Sequence, residues 1–207
     1  MSTTTSTSTA PRSAAHTGAL APRERILEAA TVLFYAHGIR AVSADKIIDR
    51  AGITKVTFYR HFHTKDDLVV AYLERQAARE RGALDDIRNA AADAAEAFRS
   101  FAELIGTASC QPGFRGCAFI NAAAEYADAD SAVRKVVADH RAWYRATFAE
   151  LLGQLGVTDT DDASDEVLML RDGAMVAGYL GEAPRVARAL SAAIFAVAST
   201  HGAAITR

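Results

Sequence analysis

Ser43-Ala-Asp-Lys-Ile-Ile-Asp-Arg-Ala-Gly52-Ile-Thr54-Lys-Val-Thr-Phe-Tyr-Arg-His-Phe-His-Thr-Lys65 reads as two short helices meeting at a glycine. Ser43 can cap the first, which runs through Arg50 and buries Ile47 and Ala51. Gly52 falls where a helix-turn-helix bends, and Ile53 follows as an apolar plug. Thr54 can accept a backbone N–H bond and so open the second helix. Phe58 and Phe62 lie four apart and share one buried face, which leaves Lys55, Thr57, Tyr59 and His61 on the outward side. A short helix with cations and hydroxyls on its free face has the shape and charge of an element that reads DNA.

The flanking sequence supplies the rest of such a module. A helix is predicted over Pro22 to His37, where Ile26, Ala29, Ala30, Leu33 and Phe34 keep the spacing of one buried stripe. Pro22 suits its opening turn and Gly38 its end. On the other side Thr64 caps a further helix whose first turn holds Asp66 and Asp67, where carboxylates complement the helix dipole. Charge divides the chain in the same place. Residues 21–65 carry eight Lys/Arg against four Asp/Glu, whereas residues 66–207 carry fourteen against twenty-one. A basic end on an acidic body is the footprint expected when one end meets phosphate.

The 207 residues, half of them hydrophobic, suit one core-bearing domain with a small appended module. Four prolines, abundant alanine and little period-two alternation point to an all-α fold. No run of about 18 apolar residues occurs, so no membrane partner is expected, and the cytoplasm is the expected location. Residues 1–20 form a Ser/Thr-rich tail read as disordered and given no role. An enzyme reading finds no Gly-x-Ser-x-Gly, no Gly-rich phosphate loop and no His-Glu-x-x-His, and no cofactor is called for. His61 and His63, two apart on a helix, point to different faces, and no ligand cluster completes a metal site.

Taken together, the stretch from Arg25 to about Leu73 resembles the DNA-binding domain of the TetR/AcrR family of transcriptional regulators. The resemblance rests on Ile-Leu-x-Ala-Ala-x-x-Leu-Phe (Ile26 to Phe34), the Gly38 turn and Ala-Gly-Ile-Thr-Lys (Ala51 to Lys55). It continues through Thr57-Phe58-Tyr59 and Phe62-x-x-Lys65-x-x-Leu68; Val56 departs from the small residue common there. It implies a helix-turn-helix DNA-binding domain over 21–66 and a helical effector-binding and dimerisation domain over 67–207. The partners implied are double-stranded operator DNA, an unknown small-molecule effector and a second copy of the chain. The implied function is that of a ligand-released repressor acting as a homodimer on a palindromic operator. A protein-binding adaptor is the alternative, but it would want an apolar or acidic face in place of Lys55, Thr57 and His61.

Position by position, the resemblance puts Thr54, Lys55, Thr57, Tyr59 and His61 at the groove and Ser43 and Lys65 near phosphates. The hydroxyls can bond phosphate oxygens, the Thr57 methyl can meet a thymine methyl, and Lys55 is the candidate for a guanine edge. Lys65, at a helix start, is read as a phosphate clamp. Thr54 can equally be only a cap, and Tyr59 can equally pack with its hydroxyl outward.

Beyond Leu73, breaks near Pro112-Gly113, Asp128 to Asp130, Gly156 to Asp162 and Gly181 to Pro184 give about six helices after the module. Small residues in 163–181 and 184–205, beside Val167, Leu168, Leu170, Val176, Leu190, Ile194, Phe195 and Val197, suit either a four-helix dimer interface or internal core. Phe98, Phe101, Phe119, Trp143, Tyr144 and Phe148, with Asn121 and Glu125 as polar contacts, are the candidate effector site. For each aromatic taken singly, ordinary core is the competing reading. Cys110 and Cys117 flank a short loop and are read as reduced thiols.

Overall fold

The computed structural model describes residues 20–204, so the expectation of a disordered leader falls almost wholly outside the described residues. Within them the chain forms α1 (Pro22–His37), α2 (Ala44–Ala51), α3 (Lys55–His61) and α4 (Lys65–Ala90). Then follow α5 (Ala94–Ser109), α6 (Ala118–Glu125), α7 (Ala132–Gln154), α8 (Thr160–Ala177) and α9 (Ala183–Thr200). No strand occurs among the described residues, and the fold is all-α as expected. No helix among them is long and apolar enough to cross a membrane.

The boundaries follow the caps. Ser43 accepts the Lys46 N–H at 3.3 Å, and Thr54 accepts that of Thr57 at 3.2 Å. Thr64 and Asp67 bond each other's backbone N–H at 3.0 and 2.9 Å, a reciprocal cap that opens α4. Six helices follow the three-helix module, but the break at residues 91–93 is absent from the sequence reading. No glycine or proline marks it; instead Asp93 accepts the Glu96 N–H at 2.7 Å while Glu96 accepts that of Ala92 at 2.8 Å.

Ile26, Ala29, Ala30 and Phe34 of α1 pack with Ile47, Phe58 and Phe62 into the small core of the module, with Leu33 only partly buried. That core runs on through Leu68, Val69 and Tyr72 into the body, and Phe34 meets Tyr72 edge-on at 5.6 Å. Arg75 adds ion pairs from α4 to Glu24 and Glu28 of α1. In the body, α5 lies against α9 and α7 against both α8 and α4. Val167, Leu168, Leu190 and Ile194 prove to be internal core. Another set faces outward along α8 and the kink Gly178–Glu182 that leads to α9: Met169 is 63 % exposed, Val176 47 % and Leu180 73 %.

Candidate DNA-binding surface and effector cavity

Gly52 sits at φ 61°, ψ 44°, left-handed backbone that costs a side-chain-bearing residue energy. The turn is also held from α1, because the Arg25 guanidinium donates to the carbonyls of Ala51 (2.6 Å) and Gly52 (2.8 Å). Thus α3 is fixed relative to α1 by charge-assisted bonds as well as by Phe58.

At 3.6 residues per turn, the positions opposite Phe58 are 56 and 60. Val56 is 78 % exposed and Arg60 is exposed, so these two form the outward crest of α3. Tyr59 flanks the crest, half exposed. Thr57 and His61 sit lower than the sequence reading put them. Thr57 is partly buried, with its hydroxyl 2.9 Å from that of Thr54. His61 is partly buried and its Nε2 is enclosed without a hydrogen-bond partner. Lys55 is exposed and 3.8 Å from Asp45, an exposed pair of little strength. Spacing alone could have singled out Val56 and Arg60, since both lie two residues from the buried Phe58.

Lys65 makes contacts within the module. Its ammonium donates to the Ile39 carbonyl at 2.6 Å and lies over the Phe34 ring at 5.9 Å, and burial lowers its pKa. It ties the start of α4 to the turn after α1 and is partly exposed, with further N–H donors on the same ammonium. The Ser43 hydroxyl oxygen accepts the cap bond of α2, which leaves its O–H proton to donate.

The eight candidate effector residues separate into three groups. Phe98 and Phe148 are fully buried core, 6.0 Å apart, and line neither of the two cavities described below. Asn121 and Glu125 are structural: Asn121 donates to the Arg115 carbonyl at 2.9 Å, and Glu125 accepts the N–H groups of Ile39 (2.8 Å) and Arg40 (2.6 Å). Their spacing suggested a pair facing a ligand, but the end of α6 turns onto the α1–α2 turn. Phe119, Tyr144 and Phe101 do reach cavities, and Trp143 stands beside them.

One cavity, of about 250 Å³, lies among α6, α7 and α8, with Phe119, His140, Tyr144 and Arg171 in its wall. A second, of about 220 Å³ and almost wholly apolar, lies on the far side of Tyr144 and Arg171 and is bounded by Phe101 and Leu104. Between them sits a buried polar cluster that the sequence reading missed. Glu80 accepts from His140 Nε2 (3.1 Å), the Tyr144 hydroxyl (2.8 Å) and Arg171 (3.1 Å). Burial works against the Glu80 charge, but these donors outweigh it and hold its pKa below the ordinary value. The Arg171 guanidinium also lies over the Tyr144 ring at 4.9 Å, and its other arm reaches Asp172 at 3.1 Å. His140 is stacked between Phe119 (3.7 Å) and Trp143 (5.5 Å). A signal was available: Glu80, His140 and Arg171 each interrupt an apolar stripe, as in Ala77-x-x-Glu80-x-x-x-Leu84.

Short bonds join this body to the module. The Tyr35 hydroxyl donates to the Gly116 carbonyl at 3.0 Å and accepts the Arg115 N–H at 2.9 Å. Arg115 donates to the Ala36 carbonyl at 2.5 Å, and the Tyr126 hydroxyl to Asp66 at 2.6 Å. Cys110 is exposed and Cys117 buried, both as free thiols. Among the described residues no cluster of His, Cys, Asp and Glu could hold a metal.

A helix-turn-helix with an exposed crest, carried on an all-helical body, is the build of a DNA-binding transcriptional regulator. Comparison with known proteins agrees. Residues 26–72 match the family model described as bacterial regulatory proteins, tetR family. A solved TetR-family transcriptional regulator from Streptomyces coelicolor is 40 % identical, with a TM-score of 0.82 over 87 % of this chain and 95 % of that one. The chain therefore belongs to the TetR family of transcriptional regulators. Its family and fold are those of regulators, not of enzymes. The HTH-type transcriptional activator FasR of Mycolicibacterium smegmatis is 42 % identical over 53 residues, 26 % of this chain and 24 % of that protein. The match thus spans about a quarter of FasR's length. A TetR transcriptional regulator from Chloroflexus aurantiacus, 21 % identical, shares the fold with a TM-score of 0.70 over 86 % of this chain and 92 % of that one.

Proposed function

We propose that the protein is a homodimeric repressor that occupies an inverted-repeat operator and is released when a small molecule enters the cavity among α6, α7 and α8. The observation that carries this reading is the double engagement of α6. Phe119, near its start, forms the cavity wall against His140, and Glu125, at its end, grips the α1–α2 turn of the module. A ligand that displaces Phe119 pushes on the helix that sets the module's position. It releases DNA only by as much as it prefers the displaced arrangement.

The functional division is residues 21–66 for DNA and 67–207 for effector and partner, with α4 running unbroken across the boundary as a lever. Val56, Tyr59 and Arg60 reach the major groove first, while Lys55, Thr54, Thr57 and His61 contact its walls or buttress the crest. The exposed apolar residues of α8 and of the kink before α9 support pairing of these helices with those of a second copy. Two such modules would meet half-sites about one helical turn apart.

The test is selection of bound sequences from a random duplex pool by the purified protein, with the winners then placed between a promoter and a reporter. An enriched inverted repeat, whose occupancy lowers reporter output, is the expected result. Enrichment of a single half-site, or raised output, would remove the homodimer or the repressor part respectively. No enrichment would remove the sequence-reading role.

A further inference from the structure

The cavity among α6, α7 and α8 is small, walled by aromatic rings and unevenly charged. Arg134, Arg141 and Arg171 all line it, against one lining carboxylate, Asp172. Asp172 already pairs with Arg141 at 2.5 Å and Arg171 at 3.1 Å, and Glu80 behind it carries three donors. The Arg134 side chain donates only to the Tyr126 carbonyl, at 3.0 Å, and is in no ion pair among the described residues. Two further polar atoms are enclosed here without partners: Nδ1 of His140 and Nε of Arg171, on side chains that are 2 % and 3 % exposed. Buried polar groups in folded proteins are nearly always paired, so the Arg171 Nε, a donor, marks a place where an acceptor is missing, whereas His140 Nδ1, with Nε2 donating to Glu80, is itself an acceptor.

We propose that the effector of this cavity is an organic anion, a carboxylate carried on a small apolar body, whose charge is met by Arg134 and Arg171 beside His140. This deepens the effector reading above and rests on it. Three arginines against the two carboxylates Asp172 and Glu80 leave one guanidinium, that of Arg134, without a carboxylate partner, and a ligand anion would supply it. Phe119, Ile120, Val137 and Leu168 supply the apolar wall, and a volume of about 250 Å³ suits a ligand below ordinary drug size.

The probes are benzoate, 2-naphthoate and octanoate, each against its primary amide, which keeps shape and removes charge. Trp143 is the chain's single tryptophan and stacks on His140, so its fluorescence reports occupancy of this cavity directly. We expect at least one acid to change that fluorescence saturably and to bind about tenfold to a hundredfold more tightly than its amide. Arg134→Gln, which leaves the Glu80 cluster intact, should weaken the acid and not the amide; thermal melting verifies that the variant is folded. An amide that binds as well as its acid and releases DNA would overturn the anion preference while the cavity stands as the effector site. An acid that binds without touching Trp143 fluorescence, and indifferently to Arg134→Gln, would overturn both. Binding by none of the three acids would overturn the anion proposal.

Discussion

Lys65 and Glu125 hold the same residue from opposite sides: the lysine ammonium bonds the Ile39 carbonyl at 2.6 Å, and the glutamate carboxylate bonds the Ile39 N–H at 2.8 Å. The first belongs to α4 and the second to α6, so the turn after α1 is clamped between two helices of the body. Gly38 makes this approach open to Glu125, since a Cβ there would lie 3.2 Å from its Oε1. Glu125→Ala should free the amides of Ile39 and Arg40, raising their hydrogen-exchange rates above those of the α1 interior. The loss of two bonds to a charged acceptor should cost about 1–3 kcal/mol, seen as a lower melting temperature. Unchanged exchange at both amides would show that the clamp is not held in solution.

Acid stability should carry the mark of Glu80. Its carboxyl is held below the ordinary 4.5, so the native state resists protonation more than the unfolded chain does. The stabilisation is complete above that ordinary value and is lost as pH falls through the depressed one. Glu80→Gln should therefore lower stability at neutral pH, by about 3 kcal/mol if Arg171 is left uncompensated, and the gap to the wild type should narrow in acid. Urea titrations from pH 7 down to pH 3 would measure it, and a pH-independent gap would contradict the assignment.

Gly52→Ala should destabilise the module. The residue would have to adopt φ 61°, and its Cβ would approach the Arg25 guanidinium at 3.0 Å. A left-handed alanine costs about 1–2 kcal/mol, more than the roughly 0.4–1 kcal/mol gained from a stiffer unfolded chain. Denaturant melting should show the net loss, and operator affinity should fall with it.

On the selected operator, Arg60→Ala should weaken binding to all sequences alike and flatten the salt dependence by about one unit of slope. Val56→Ala and Lys55→Ala should instead alter which bases are preferred, at little cost on random DNA. Repeating the sequence selection with each variant separates the two outcomes. A changed preference for Arg60→Ala would make it a base reader.

Met169→Glu together with Leu180→Glu should dissociate the dimer, because both side chains are largely exposed in the single chain and a dimer face would bury their new charge. Analytical ultracentrifugation at micromolar concentration measures this. A variant that still sediments as the wild type would place the interface elsewhere.

The module was legible because its signals are local. Ser43, Gly52, Thr54 and Thr64 each mark a cap or turn within a few residues, and Phe58 and Phe62 share a face by spacing alone. Which outward residues form the crest followed from the same periodicity, yet attention to charge favoured Lys55 and His61 over Val56. The body was harder, because its determinants are non-local. Nothing near Glu125 in the sequence points to Ile39, 86 positions earlier, and nothing near Glu80 points to His140 or Arg171. Aromatic residues drew notice as pocket candidates, but Phe98 and Phe148 fill core, and the polar groups that distinguish a site were charges hidden inside apolar stripes.

The Arg25 bonds to the Ala51 and Gly52 carbonyls have a consequence for how such a protein can diversify. They fasten the recognition turn to α1 from within the module, whereas the bonds from Arg115 and Glu125 end on the opposite turn, at Ala36, Ile39 and Arg40. What is read and what commands the reading are thereby written in separate places. Exchanging the crest residues of α3 should transplant an operator preference between relatives while leaving the response to the small molecule untouched, so that address and trigger can evolve independently.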